Sequence, residues 1–192
     1  LYERSFFFWI NNDHIPDVRV RQALNYAINK TAIVADIFGG DAFETRTPIP
    51  PLVRFAKNQS VYEYNTTKAR ELLDAAGWSN STEIKIATTY GRYVLAKEVT
   101  EYMQASFEAI GLNISIVVRE YGAHVSAVKA NASMADWDLA CIGWGTSTGD
   151  PDYIFRSWYW SGTDLFNPFF SNQSVDDAIN FGSNQTSEAA RE

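Results

Sequence analysis

The sequence is poor in the residues that build disulfides and metal centres. It has one cysteine, Cys141, and two histidines, His14 and His124, in 192 residues. One cysteine cannot form an internal disulfide or a multi-cysteine metal site. Its apolar neighbours, residues 139–142, predict a buried structural thiol. Because the two histidines lie far apart in sequence, we expect neither to bind a metal, and we expect no cofactor.

Long apolar runs and basic clusters are also missing. No stretch approaches the roughly 20 apolar residues of a membrane span, and no signal peptide is present. The net charge is −7, with 16 Lys and Arg scattered among 23 Asp and Glu, which argues against a nucleic-acid partner. The sequence starts directly in an apolar run and stops inside a charged helical pattern. We therefore expect both ends to be cuts in a longer protein.

Motifs for phosphate binding are absent as well, since neither G-x-G-x-x-G nor G-x-x-x-x-G-K-[ST] occurs. Four aspartates are the only candidates for a catalytic carboxylate pair. Asp150 and Asp152 are explained by a helix N-terminus, where the helix dipole favours negative charge. The other two, Asp136 and Asp138, flank the entrance to a strand. We expect no enzymatic activity and no metal site; a hydrolase that uses Asp150 and Asp152 is the alternative.

The periodicity of apolar residues predicts strands alternating with helices. Residues 6–10 and 139–142 are apolar runs typical of buried strands. Between them, residues 84–89 alternate as a strand, residues 95–110 carry a helical stripe, and residues 112–118 alternate again. Such a strand–helix–strand unit favours two parallel strands. Further helices are predicted from Pro16, near residues 33–38, from near Thr66, over residues 123–129, from Pro151 with Asp150 as the N-cap, and near Ser174 with a capping box to Asp177. The pattern predicts a layered α/β domain.

The most suggestive segment is residues 143–149, which we predict to be a loop between a buried strand and a helix. In open α/β sheets, ligands bind beyond the carboxyl ends of the strands. A tryptophan flanked by glycines suits a stacking platform for a ligand, although packing in the core is the alternative. Tyr90, at the end of an earlier strand, could reach the same crevice. The predicted ligand-binding residues are Trp144, Gly145, Thr146, Ser147, Thr148 and Tyr90.

Asn-x-Ser/Thr sequons are unusually frequent, and each could mark a glycosylated surface of an exported protein. They favour an extracytoplasmic location, although asparagine is also common in turns and helix caps. The sequons begin at Asn29, Asn58, Asn65, Asn80, Asn113, Asn131, Asn172 and Asn184.

Several motifs resemble one known family in the family's own order. Residues 17–30 (DVRVRQALNYAINK) closely resemble the DVRVRQALNYAIDK helix of the peptide/nickel-binding family, family 5, of ABC-transporter solute-binding proteins. Residues 64–78 are similar to its Y-D-P-x-K-A-x-x-L-L-x-x-A-G-[YW] helix. Residues 137–153 are similar to its YDLALxGWGxxxxDPDxF segment. Weaker matches lie at residues 39–51, 110–112 and 172–179, so the resemblance covers nearly the whole chain.

The resemblance implies a periplasmic-binding-protein-like (class II) lobe, with a mixed, mostly parallel sheet flanked by helices. Residues 1–192 would form a single C-terminal lobe, and the missing N-terminal lobe would close with it on a ligand. Family members are exported, as periplasmic proteins or lipoproteins anchored to the membrane through the N-terminus, and deliver ligand to an ABC permease. Their ligands are mostly di- and oligopeptides, but nickel chelates, haem, sugars and glutathione also occur. A ligand-sensing receptor is the alternative role.

One residue departs from the family pattern in a way that bears on the ligand. The tryptophan that matches Trp144 contacts ligand in the family. Several peptide-binding members carry an aspartate three residues later, which pairs with the free amino terminus of the peptide. Here that position is Ser147, a neutral hydroxyl. The resemblance therefore implies a solute-binding protein and leaves the nature of the solute open.

Overall fold

A computed structural model of the chain describes residues 4–57, 62–130, 135–163 and 170–191. The sequons at Asn58 and Asn131 lie outside the described residues. None of the described helices combines the length and apolarity that crossing a membrane requires.

Four strands form one sheet in the order β1-β4-β2-β3. They are β1 (Arg4–Ile10), β2 (Glu83–Tyr90), β3 (Asn113–Glu120) and β4 (Leu139–Gly145). Strand β2 is parallel to both β3 and β4, as the pairs Ile86↔Ile116 and Ile86↔Leu139 show. Strand β1 runs antiparallel on the outer side of β4, with Phe7 opposite Ile142. The prediction of a mixed, mostly parallel sheet is confirmed.

Helices pack on both faces of this sheet. They are α1 (Val18–Tyr26), α2 (Lys30–Ala32, continuing into a π-helical turn over Ile33–Ile37), α3 (Thr66–Ala76), α4 (Ala96–Glu108), α5 (Tyr121–Val128), α6 (Asp152–Trp158), α7 (Gln173–Ser183) and α8 (Glu188–Arg191). Asparagines at three sequons cap helices, because Asn29, Asn65 and Asn172 accept hydrogen bonds from backbone N–H groups of α2, α3 and α7. Helix α3 ends as predicted at Gly77, whose φ of 64° places it in the left-handed region.

Three boundaries differ from the predictions. Strand β4 continues through Gly145 because β1 supplies it with hydrogen-bonding partners, up to the pair Arg4↔Gly145. Helix α6 begins at Asp152, although the Asp150 side chain does accept from the Asp152 N–H as a cap would (2.9 Å). The capping box predicted at Ser174 is wrong. Asn172 caps α7 by accepting hydrogen bonds from the N–H groups of Ser174 and Val175.

Side chains divide into two cores, one on each face of the sheet. Neighbouring residues of β2 point to opposite faces, so Ile86 lies in one core and Ala87 in the other. The aliphatic core comprises Ile15, Val20, Ala23, Leu24, Ala27, Ile28, Ala69, Leu73, Ile84, Ile86, Val99, Met103, Phe107, Ile110, Leu112, Ile114 and Leu139. The aromatic core comprises Trp9, Ile49, Val53, Ala87, Val128, Trp137, Ala140, Ile142, Ile154 and Trp158.

Cys141 lies in the middle of β4 and is fully buried, as predicted. Its Sγ atom is 3.5 Å from the Thr88 hydroxyl. Burial raises the pKa of this thiol, with the Thr88 hydrogen bond opposing the shift. The thiol is therefore a structural group of the interior.

Candidate functional site

Three parallel strands end at the same edge of the sheet, which we call the carboxyl edge. Strand β2 ends there at Tyr90, β3 at Glu120 and β4 at Gly145. Antiparallel β1 begins there, with Arg4 opposite Gly145. The predicted site residues are therefore gathered at the edge where α/β sheets bind ligands.

Trp144 lies within β4, opposite Ser5 of β1, and not in a loop as predicted. Its ring stacks on Tyr153, with centroids 5.8 Å apart and planes 9° apart. It also meets Trp158 edge-on at 5.6 Å. Trp144 is half-buried and packs against the aromatic core. The alternative of core packing therefore applies to much of this ring, and its role as a stacking platform for a ligand stays a prediction.

Tyr90 lies at the same edge but on the other face of the sheet. Ile84 and Ile86 of β2 face the aliphatic core, and strand alternation places Tyr90 on that same face. Trp144 shares its face with Ala140 and Ile142, in the aromatic core. The Tyr90 side chain is 59% exposed. The structure thus brings the two residues to one edge without bringing their side chains together.

The three hydroxyls that follow Trp144 have different environments. Thr146 is buried, and its Oγ1 donates to the backbone oxygen of Asp150 (2.9 Å). The Thr148 hydroxyl lies 3.2 Å from that of Thr146 and accepts a hydrogen bond from the Asp150 N–H (3.3 Å). Ser147, between them, is exposed. The hydroxyls of Thr146 and Thr148 therefore hold the turn in shape, and both Ser147 and Thr148 are exposed to solvent.

A further group at the carboxyl edge was not predicted from sequence. Tyr93 donates its hydroxyl hydrogen to the Gly143 carbonyl (3.3 Å), and Arg4 Nη1 donates to the same oxygen (3.1 Å). A Cβ atom on Gly143 would lie 2.6 Å from the Tyr93 ring, so any side chain at this position would collide with the ring. Burial is the main cause that raises the pKa of Tyr93 to about 12, so the phenol remains a donor at neutral pH.

Arg92 adds a second cation to this edge. The residue is exposed, and its guanidinium carbon lies 5.6 Å from the centre of the Tyr121 ring. Tyr121 in turn meets Tyr93 edge-on at 5.9 Å. The sequence does carry one signal that could have indicated Arg92 and Tyr93. Residues 90–93 contain two tyrosines and an arginine directly after a predicted strand. Guanidinium groups bind carboxylates through paired hydrogen bonds.

Residues 145–149 also match G-x-S-x-G, the pattern of the nucleophile elbow in serine hydrolases. A nucleophilic Ser147 would need a histidine base within hydrogen-bonding reach. His14 does pair with Asp138 (2.9 Å), but this pair precedes β4, whereas Ser147 follows it. Seven residues of strand separate them by roughly 23 Å. His124 is buried, with Nε2 2.6 Å from the Cys141 carbonyl. No Ser–His–Asp arrangement forms among the described residues.

The aspartates have structural partners. Asp152 pairs with Arg156 (3.0 Å), Asp136 with Arg119 (2.5 Å), and Asp138 accepts from the Lys85 N–H (2.7 Å). Within the described ranges, no group of three or more His, Cys, Asp or Glu side chains could hold a metal ion. The site is therefore an aromatic and hydroxyl-bearing surface at the carboxyl edge. Two cations lie at the same edge, of which Arg4 shares the face of Phe6, opposite to that of Trp144.

The chain is similar in sequence to known proteins. The sequence profile of the bacterial extracellular solute-binding proteins, family 5 (Middle), matches residues 2–165. The glutathione-binding protein GsiB of Escherichia coli (strain K12) is 31% identical over 167 residues, 84% of this chain and 32% of that protein. The Salmonella choleraesuis (strain SC-B67) GsiB is 30% identical over 163 residues, 82% of this chain and 32% of that protein.

The chain is also similar to solved structures over nearly its whole length. A dipeptide-binding protein from Pseudoalteromonas sp. SM9913, in complex with Met-Leu, superposes with a TM-score of 0.89 at 23% identity, over 98% of this chain and 38% of that one. NikZ from Campylobacter jejuni, in complex with Ni(L-His), has a TM-score of 0.82 at 25% identity, over 98% of this chain and 40% of that one. The first is named a dipeptide-binding protein, and the second was solved with a bound nickel complex of histidine.

The chain spans about a third of the length of the curated relatives it matches. The profile nevertheless covers most of the chain, and the solved structures share its mixed sheet with flanking helices. This chain belongs to the bacterial extracellular solute-binding proteins of family 5.

Proposed function

We propose that the chain is one lobe of the substrate-binding component of an ABC importer. The observation that carries the proposal is Trp144, held by Tyr153 and Trp158 at the carboxyl edge with Ser147 exposed beside it. An aromatic face with nearby polar groups is the usual composition of a small-molecule site. Residues 1–192 would form the C-terminal lobe, and the missing N-terminal lobe of the same protein would supply the other wall of the cleft.

The chemistry of the edge favours a small peptide or a related amino-acid derivative. The relatives are named for glutathione, the dipeptide Met-Leu and Ni(L-His), all of which contain amino-acid units. Arg4 and Arg92 offer guanidinium donors that suit a carboxylate. Ser147 offers no charge for an amine, and the nearby Glu120 carboxylate is occupied as the cap of α5, accepting from the Gly122 N–H (2.7 Å). This lobe therefore suits the acidic end of such a ligand.

In this proposal the protein performs no chemistry on the solute. The aromatic core pre-orients Trp144, so binding loses little side-chain entropy at that ring. Closure of the second lobe would exclude water from the ligand, and opening at the permease would release it. Nickel chelates, sugars or glutathione in the same role are alternatives, as is a ligand-sensing receptor component.

The protein would act outside the cytoplasm, as the family description indicates. We propose that it is periplasmic or displayed on the cell surface, anchored to the membrane as a lipoprotein through the missing N-terminus. Its partners would be the solute and a membrane-embedded ABC permease. Transport of a labelled solute into vesicles that contain the permease would separate import from sensing.

The test is calorimetry on the full-length two-lobe protein with dipeptides, glutathione, Ni(L-His) and sugars. We expect one class to bind, and Trp144→Ala to weaken binding by about 5- to 160-fold, because truncating an aromatic anchor of a binding site costs about 1–3 kcal/mol. Phe181→Ala, an exposed aromatic on α7, is the control and should leave affinity unchanged. Binding of no class would refute the proposed function. Unfolding of the Trp144→Ala protein would show that the ring serves only to pack the hydrophobic core.

A further inference from the structure

Asp150 forms three hydrogen bonds that shape the turn after β4. Its backbone oxygen accepts from the Thr146 hydroxyl (2.9 Å), and its N–H donates to the Thr148 hydroxyl (3.3 Å). Its carboxylate accepts from the N–H of Asp152, the first residue of α6 (2.9 Å). The position of Asp150 therefore sets the shape of the turn that presents Ser147.

A residue far along the sequence holds this carboxylate. Nη2 of Arg191, in α8, donates to Asp150 Oδ1 at 2.7 Å and lies 2.7 Å from Oδ2 as well. The two side chains are 22% and 30% exposed, so solvent screens this pair less than it screens a fully exposed one. The contact is the direct link between the turn and the C-terminal helix.

Arg191 is itself positioned by an aromatic ring. Its guanidinium carbon lies 5.1 Å from the centre of the Phe55 ring, and that of Arg54 lies 4.9 Å from the same ring. Arg54 also forms an ion pair with Glu188 of α8. Phe55 has a φ of 66°, in the left-handed region that a bulky residue rarely adopts. Such a conformation persists only where surrounding contacts hold it.

We propose that Arg191 is a positioning residue for the ligand-binding turn, residues 146–150, acting through Asp150 while Phe55 holds its guanidinium in place. The inference rests on the proposed function only in taking this turn to face the solute. Arg191 touches no reacting or ligand-contacting group. Its role is to keep Asp150 where the Thr146 and Thr148 hydroxyls can close the turn.

Amide hydrogen exchange of the 192-residue chain tests the proposal without any ligand. The probes are the N–H groups of Asp150 and Asp152, because their hydrogen bonds to the Thr148 hydroxyl and the Asp150 carboxylate belong to the turn. We expect Arg191→Gln to accelerate exchange at both by about 3- to 10-fold, with the urea midpoint of global unfolding nearly unchanged. Arg191→Lys keeps the charge and should restore part of the protection. Asp150→Asn should match Arg191→Gln, and the double variant should be no worse than either.

Glu188→Gln is the matched control, because it removes the Arg54 pair of α8 without touching Asp150. If Glu188→Gln accelerates the two amides as much as Arg191→Gln does, docking of α8 in general is responsible and the proposal is wrong. Unchanged exchange in Arg191→Gln would overturn it as well. Calorimetry on the full-length protein separates the two proposals. Failure of the wild-type protein to bind any solute refutes the proposed function and leaves the exchange result standing.

Discussion

The two faces of the sheet are built from different residues and in different ways. The aliphatic core takes about half of its residues from regular helical stripes, such as Val99, Met103 and Phe107 of α4. The aromatic core takes its tryptophans from separate places along the chain: Trp9 in β1, Trp137 before β4 and Trp158 at the end of α6. Trp9 and Trp158 meet at 5.1 Å, and Phe7 meets Trp158 edge-on at 5.4 Å.

The difference matters because it is the aromatic core that reaches Trp144 at the candidate site. Trp158 contacts Trp144, and Trp144 stacks on Tyr153, so ring contacts continue from the interior to the carboxyl edge. The aliphatic core lies between the sheet and helices α1, α3 and α4. We therefore expect changes in the aliphatic core to alter stability alone, and changes near the carboxyl edge to alter the site as well.

The largest effect is expected from Phe107→Ala, in the centre of the aliphatic core. Phe107 is fully buried, and truncating such a ring costs about 3–5 kcal/mol of the free energy of unfolding. Urea denaturation measures this loss. Phe181→Ala, on an exposed position, should stay within about 0.5 kcal/mol. A change in solute affinity of the folded Phe107→Ala full-length protein would contradict the separation of the two cores.

An intermediate effect is expected from Gly143→Ala, at the carboxyl edge. The new methyl would collide with the Tyr93 ring, which packs against Phe6 at 5.4 Å and donates to the Gly143 carbonyl. Such overpacking costs about 1–3 kcal/mol, and displacement of Tyr93 should also weaken solute binding. Gly182→Ala is the control, because its methyl would meet nothing within 4 Å in α7. Full stability in Gly143→Ala would show that Tyr93 is not held at this edge.

The smallest effect is expected from His124, in α5 over β4. Burial lowers the pKa of His124, opposed by its hydrogen bond to the Cys141 carbonyl and assisted by the charge of Arg119. As pH falls through about 6.5, the unfolded chain binds a proton that the folded chain does not. Stability is therefore lost toward acid pH, from about 6.5 down to the lowered folded-state pKa, by at most about 1.4 kcal/mol per pH unit.

His124→Gln removes this titration while keeping a donor for the Cys141 carbonyl. Urea midpoints at pH 8 and pH 5 should differ less for His124→Gln than for the wild-type chain. An equal difference in both proteins would show that the buried imidazole does not contribute to acid sensitivity.

Much of the fold was predictable because its signals are local. The β2–α4–β3 unit follows from strand alternation, a helical stripe and strand alternation again, and Gly77 marks the end of α3 through its left-handed conformation. The family resemblance also rests on contiguous motifs, and the profile match over residues 2–165 confirms it. The candidate site was predictable as a region, since the carboxyl edge follows from the order of strands and helices.

The details of the site were not predictable, because they depend on pairings between distant residues. Strand β1 pairs with β4 across more than 130 residues, and this pairing draws Gly143, Trp144 and Gly145 into a strand. The roles of the hydroxyls also needed the structure, because Thr146 and Thr148 form hydrogen bonds with the backbone of Asp150, and of the three residues 146–148 Thr146 alone is buried. Arg4 and Arg191 carried no local signal for a role at this edge, and for Tyr93 the signal was only the cluster of residues 90–93.

The sequence by itself determined the family, the layered α/β architecture and the edge of the sheet at which the candidate site lies. Periodicity and short motifs report which residues are buried and which elements they form, and both act over neighbouring positions. Only the tertiary structure decided that Tyr90 and Trp144 point to opposite faces, and that Arg191 holds Asp150. Those outcomes depend on strand register and on contacts between distant segments, such as Arg4 with Gly143, 139 residues apart, which no local pattern encodes.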